Sequence, residues 1–256
     1  MCIVQDSGFG NMPRFFVKTS DISDSGKLVS IFGDDAAHIT RVLRMKPGEN
    51  VTVCDEYGTE YLTEIVETGD MVICAVVSSK KSETEPPYRV TVYQALVKGD
   101  RFDTVLQKAT ELGATEFVPI ITSRCVVTVE PKEYEKKLAR WQRIVYEASK
   151  QCGRGMVPTV RAPIRLTDAL KKASVDTYPL FCYEGDGTVP LNKLTDENKK
   201  PESISVIIGP EGGFSDDEVS LAKESGIMLA GLGKRILRTE TAAPFVLACI
   251  SFKYEL

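Results

Sequence analysis

The dipeptide Pro86-Pro87 divides this chain into two stretches of different grammar. After it, apolar runs of strand length alternate with longer stretches whose apolar residues recur at helical spacing. Tyr88–Leu96 reads as a strand, and Asp100–Leu112 as a helix carrying Phe102, Val105, Leu106, Ala109 and Leu112 on one face, with Gly113 as its C-terminal cap. Phe117–Ile121 is a strand, and Pro131–Cys152 a long amphipathic helix opened by a proline. Leu180–Tyr183, Ile204–Ile208 and Met228–Ala230 are further strands. Between the last two, Ser215-Asp216-Asp217-Glu218 is a capping box that starts a helix ending at Gly226; a final helix covers about Thr241 to Tyr254. Such alternation builds a parallel sheet covered by helices, an α/β fold.

Before the proline pair the runs are shorter and β-rich: Arg14–Thr19, Lys27–Ile31, Val51–Cys54, Tyr61–Val66 and Met71–Val77, punctuated by Gly48, Gly58 and Gly69. Short strands at this spacing suggest a small barrel, with Asp34–Met45 as a helix between them. The polar stretch Ser78–Pro87 reads as a linker. The expected division is an extension over 1–11, a barrel over 12–78, a linker over 79–87 and an α/β domain over 88–256. Met1–Asn11 lack a basic start followed by a long apolar stretch, so they do not read as a secretory signal.

The 256 residues hold no apolar run long enough for a bilayer. Seven cysteines, none in C-x-x-C spacing, and one histidine, His38, speak against a zinc site and for reduced thiols in a cytoplasmic protein with neither membrane nor metal partner. The net charge of −4 is unevenly spread. Met12–Lys46 has six Lys/Arg against four Asp/Glu, Pro47–Pro87 two against nine, and Lys98–Arg154 eleven against eight. Two mildly basic stretches thus flank an acidic band, a distribution compatible with nucleic acid as well as with ordinary solvated faces.

Two glycine-bearing loops each follow an apolar strand: Gly209-Pro210-Glu211-Gly212-Gly213-Phe214, and Gly231-Leu232-Gly233 leading to Arg238. Ligands in open α/β sheets bind at the carboxyl ends of strands, and glycine lets the main chain come close to them. Tight turns that hold nothing would also use glycine, and both readings stay open at this level. The spacing of Gly231-Leu232-Gly233-Lys234-Arg235 does not fit a phosphate-binding P-loop, and no G-x-G-x-x-G follows the first strand of the unit.

Gly209-Pro210-Glu211-Gly212-Gly213-Phe214-Ser215 and Leu232-Gly233-x-x-Ile236-Leu237-Arg238-x-Glu240-Thr241-Ala242 resemble the C-terminal motifs of the SPOUT-class 16S ribosomal RNA uridine-N3 methyltransferases. Met12-Pro13-Arg14-Phe15-Phe16, His38-x-x-Arg41-Val42-Leu43-Arg44, Lys98-Gly99-Asp100-Arg101 with Lys108–Gly113, and Gln151-x-x-Arg154 resemble other stretches of that family in the same order. The resemblance implies a PUA-like N-terminal barrel that binds RNA and a C-terminal sheet whose chain passes through a trefoil knot. It also implies S-adenosylmethionine as cofactor, a homodimer, and the small ribosomal subunit with its 16S rRNA as partner.

Carried over residue by residue, the resemblance makes Leu180, Cys182, Gly209, Pro210, Glu211, Gly212, Gly213, Leu232, Gly233, Ile236, Leu237, Arg238 and Thr241 candidate cofactor contacts. N3 of uridine must lose a proton to accept a methyl group. Arg238 is the candidate for stabilising the resulting anion, and Glu211 and Glu240 are candidate bases or loop-organising acceptors. Arg14, Arg41, Arg44, Lys98, Arg101, Arg124 and Arg154 are candidate RNA contacts through phosphate. Two alternatives remain beside this one: a related methyltransferase acting on another RNA or on a ribose 2′-oxygen, and a non-catalytic ribosome-assembly protein that binds RNA.

Overall fold

The structure, a computed structural model, describes residues 12–127, 131–194 and 200–256; Met1–Asn11, expected to be an extension, lie outside the described residues. The chain forms two compact units, one comprising the described residues up to Glu85 with Ser149–Val157, the other Pro86–Ala148 with Pro158–Leu256. Among the described residues no helix is long and apolar enough to cross a membrane.

In the first unit β1 (Arg14–Phe16), β2 (Leu28–Ile31), β3 (Asn50–Cys54), β4 (Thr59–Glu67) and β5 (Val72–Lys81) form a sheet in the order β1-β3-β4-β5-β2. Phe15 from one end strand and Val29 and Ile31 from the other share one buried cluster with Val51, Val53, Ile65 and Val72. The sheet therefore rolls around a single core, and register shifts between β4 and β5 add curvature. Ser78–Lys81, expected to open the linker, instead continue β5 and pair with Thr59–Leu62. These strand residues are largely exposed, so they carry no apolar alternation that could have announced them.

The helix expected over Asp34–Met45 is also shorter. α1 (Gly33–Ala37) passes into a wide π turn at His38–Val42, where Leu43 N–H donates to the His38 carbonyl at 2.9 Å. The Thr40 hydroxyl donates back to the Ala36 carbonyl at 2.8 Å. The turn ends with Arg44 at φ 54°, the only non-glycine residue of positive φ among the described residues.

Ser149–Val157 join the first unit through buried charge. Glu85 accepts from the Arg154 guanidinium and from the Gly155 and Met156 N–H groups, and Lys150 pairs with Asp35 at 3.1 Å.

The second unit contains β6 (Arg89–Ala95), α2 (Arg101–Glu111), β7 (Glu116–Ile121), α3 (Tyr134–Cys152, its last turn belonging to the first unit), β8 (Thr159–Val160), β9 (Ile164–Arg165), α4 (Leu166–Ala173), β10 (Tyr178–Cys182), β11 (Val189–Pro190), α5 (Leu191–Leu194), β12 (Ser203–Ile208), α6 (Asp216–Glu224), β13 (Met228–Gly231) and α7 (Thr239–Tyr254). The sheet is parallel throughout, in the order β11-β13-β10-β12-β6-β7-β8, with β9 also beside β7. β10 and β12 are buried along their whole length, as expected of central parallel strands covered on both faces. A 3-10 turn at Pro131–Glu133 precedes α3, and α7 starts at Thr239 rather than Thr241. Because β13, β10, β12 and β6 are neighbours and parallel, the loops leaving their carboxyl ends gather at one edge of the sheet.

Candidate active site

At that edge lies a pocket of about 360 Å³. β10 supplies Cys182 and the following Tyr183 and Glu184; the loop after β12 supplies Gly209, Pro210, Glu211, Gly213 and Phe214; the loop after β13 supplies Leu232, Gly233 and the run Arg235–Arg238. Thr239, Glu240 and Ala242 from the start of α7, together with Ile208 and Arg101, complete the wall.

Two glycines are required by geometry. Gly213 has φ 66°, and a Cβ there would stand 2.6 Å from Glu184 Oε1. Gly233 has φ 104°, where a side chain would be strained.

The Gly209 loop is tied to α7 from beneath. The Thr239 hydroxyl donates to the Gly209 carbonyl at 2.7 Å and accepts from Gln94 Nε2 at 2.9 Å, and both side chains are buried. Thr239→Val would keep the shape and remove both bonds, leaving a buried carbonyl and amide short of a partner. Its expected effect is a weakening of ligand binding in the pocket by about tenfold, read by calorimetry, with a loss of about 1–3 kcal/mol in stability.

The far end of the same loop is held by the predicted capping box. Ser215 Oγ accepts from Glu218 N–H at 3.4 Å, and Glu218 accepts from Ser215 N–H at 2.9 Å and Ser123 N–H at 2.7 Å. Arg124 Nη1 donates to the Gly212 carbonyl at 2.9 Å.

Three carboxylates and three guanidiniums face the pocket. Glu211 pairs with Arg101 at 2.6 Å and accepts from Lys98 N–H at 3.3 Å. Glu240 lies 4.0 Å from Arg101 Nε and 3.9 Å from Arg238 Nη1. The Arg238 side chain is 82% exposed, so it props up no core. Burial pushes the Cys182 thiol up to about 12, which keeps it protonated at neutral pH.

Most expected pocket residues therefore meet in one place. Leu180, Gly212 and Thr241 do not line it: Leu180 is fully buried within β10, Gly212 packs against Arg124, and Thr241 lies exposed on α7. Tyr183, Glu184, Ile208, Phe214, Arg235, Thr239 and Ala242 line it without having been candidate contacts; Phe214 and Ala242 are named in the quoted motifs, whereas Arg235 and Thr239 fall at their unspecified positions.

Among the candidate RNA contacts, Lys98, Arg101 and Arg124 are exposed beside the pocket loops, and Arg41 and Arg44 are exposed on the π turn of the first unit. Arg14 and Arg154 are corrected. Arg14 Nη1 pairs with Glu60 at 2.8 Å and also reaches Cys54 Sγ at 2.9 Å and the Arg154 carbonyl at 3.2 Å, while Arg154 holds Glu85. Their side chains are 10% and 5% exposed, so both serve the interior of the first unit rather than an RNA surface.

A sequence profile described as an RNA methyltransferase domain matches residues 84–251, and one described as an RNA methyltransferase PUA domain matches residues 33–71. The chain is 33% identical over 251 residues to the Ribosomal RNA small subunit methyltransferase E of Bacillus subtilis (strain 168), covering 96% of this chain and 98% of that protein. It is 35% identical over 219 residues to the protein of the same name from Synechocystis, covering 85% of this chain and 71% of that one. The crystal structure of a Ribosomal RNA small subunit methyltransferase E from Neisseria gonorrhoeae bound to S-adenosyl methionine matches with a TM-score of 0.82 at 32% identity, over 94% of this chain and 98% of that one.

Proposed function

The chain belongs to the RNA methyltransferase family of the ribosomal RNA small subunit methyltransferases E, and on that premise we propose that it transfers a methyl group from S-adenosylmethionine to N3 of one uridine in 16S rRNA, acting on the small ribosomal subunit in the cytoplasm. The observation that carries this reading is the glycine-walled pocket at the carboxyl ends of β10, β12 and β13. Its volume of about 360 Å³ lies within the roughly 300–1,000 Å³ usual for small-molecule sites. The relative from Neisseria gonorrhoeae, crystallised with S-adenosyl methionine, supports the choice of ligand.

Gly209, Gly213, Leu232, Gly233, Ile236 and Leu237 would hold the cofactor with main-chain groups in the loops that the trefoil knot of this family would thread, and Cys182 and Phe214 would form an apolar wall. S-adenosylmethionine supplies an electrophilic methyl group carried on a sulfonium. Cys182, kept protonated by burial, offers no thiolate to compete for that methyl. The Arg238 guanidinium stabilises negative charge on the uracil as N3 loses its proton, a task suited to a fixed planar cation. Glu211 is committed to Arg101 and to Lys98 N–H and organises the loop. Glu240, farther from both guanidiniums, is the better placed acceptor for the N3 proton.

Lys98, Arg101, Arg124, Arg41 and Arg44 contact phosphate and make binding salt-dependent. A methyl on N3 blocks the Watson–Crick edge and stops reverse transcription, whereas a ribose 2′-O-methyl leaves pairing intact. Primer extension along 16S rRNA from cells lacking the protein should read through, and incubation with protein and cofactor should install a stop at one uridine. A ribose methyl, or no stop, overturns the reading.

The proposal includes a homodimer. α7 is apolar nearly all round, and Thr241, Phe245, Ala248 and Phe252 form an exposed stripe along it, Phe252 being 76% exposed. A self-complementary interface would cover that stripe in a second copy. Phe252→Glu is expected to give a folded monomer, measured by light scattering against a wild-type dimer.

A further inference from the structure

Glu184 stands apart from the other pocket carboxylates. Glu211 is neutralised by Arg101, and Glu240 lies between Arg101 and Arg238. Glu184 follows β10, is exposed into the pocket, and has no ion pair or hydrogen-bond donor among the described residues. Arg235, the remaining pocket cation, pairs with none of the three carboxylates. The Glu184 carboxylate also lies against the Gly209–Phe214 loop: its Oε1 sits 2.6 Å from where a Cβ on residue 213 would be, so Gly213 leaves the room it occupies. A negative charge held against a main-chain loop, and in no ion pair among the described residues, is arranged for a positive charge on the ligand.

We propose that Glu184 is a specificity-determining residue that recognises a cationic group of the cofactor, its sulfonium or its α-ammonium. The proposal rests on the pocket being the S-adenosylmethionine site. A neutral adenine nucleoside would gain nothing from the carboxylate, so Glu184 would bias the pocket toward the charged donor over neutral fragments of it.

The test is calorimetric titration of the full chain and of Glu184→Gln with three ligands: S-adenosylmethionine, S-adenosylhomocysteine, which keeps the ammonium but not the sulfonium, and 5′-methylthioadenosine, which has neither. The substitution should weaken S-adenosylmethionine binding by roughly tenfold to a hundredfold, the range of a charge-assisted contact, and leave methylthioadenosine unchanged. An equal loss for the homocysteine compound supports the proposal with the ammonium as the group recognised; a loss for S-adenosylmethionine alone supports it with the sulfonium. Unchanged S-adenosylmethionine binding, or an equal loss for all three ligands, overturns it. If the wild type binds none of the three, the cofactor reading itself fails rather than the role of Glu184.

Discussion

Arg238→Ala should lower kcat for methyl transfer by about 10²–10³-fold, the usual effect of removing one preorganised group that stabilises transition-state charge. Cofactor affinity should stay nearly intact. Arg238 lies just before the first residue of α7, its side chain is 82% exposed, and its ion-pair contact among the described residues is Glu240 at 3.9 Å. Truncating it removes no core packing and opens no cavity. What is lost is a cation at the mouth of the pocket where the acceptor base must sit. Arg238→Lys keeps the charge but not the planar fork and should recover only part of the rate. Single-turnover kinetics at saturating cofactor separate these outcomes from a binding defect. Full turnover in Arg238→Ala would remove the residue from the chemistry.

The largest stability effect should come from Glu60→Ala in the first unit. Glu60 is 3% exposed and accepts from Arg14 at 2.8 Å and from the Ser82 hydroxyl at 2.7 Å. Removing the carboxylate strands the Arg14 guanidinium in a buried site. Breaking one side of such a pair costs about 3–5 kcal/mol, whereas replacing both partners with apolar residues of similar volume is often close to neutral. Glu60→Ala should therefore melt well below wild type in a thermal or urea titration, and Arg14→Met with Glu60→Leu should recover much of the loss. Equal destabilisation by the single and double variants would contradict the account. The same melts guard against reading an Arg14→Ala defect in RNA binding as a lost phosphate contact.

The α/β half was legible because its determinants are local. β10 and β12 are continuous apolar runs, and α2 and α3 have one apolar face. The Ser215–Glu218 capping box marks the start of α6 from sequence alone. The glycine loops were legible for the same reason, since Gly213 and Gly233 declare their backbone geometry by having no side chain.

What escaped depends on distant partners. A buried and an exposed arginine look alike in sequence, and Arg14 and Glu60 are 46 residues apart. Thr239 reads as a spacer between Arg238 and Glu240 until Gln94, 145 residues away, is seen to hold it. The π turn at His38–Val42 escaped because hydropathy does not distinguish its wider hydrogen bonding from that of an α-helix. α4 could have been found, since Leu166, Ala169, Leu170 and Ala173 have helical spacing; β8 and β9 are too short to show any period.

The central claim is methyl transfer from S-adenosylmethionine to a base nitrogen of small-subunit RNA. Its most direct measurement is incubation of the protein with cofactor labelled in the methyl group and small ribosomal subunits lacking the modification, followed by digestion of the 16S rRNA and separation of its nucleosides. The label should appear in 3-methyluridine, at one position and close to one methyl per subunit. Label in a 2′-O-methylated nucleoside, or none in RNA at all, would contradict it.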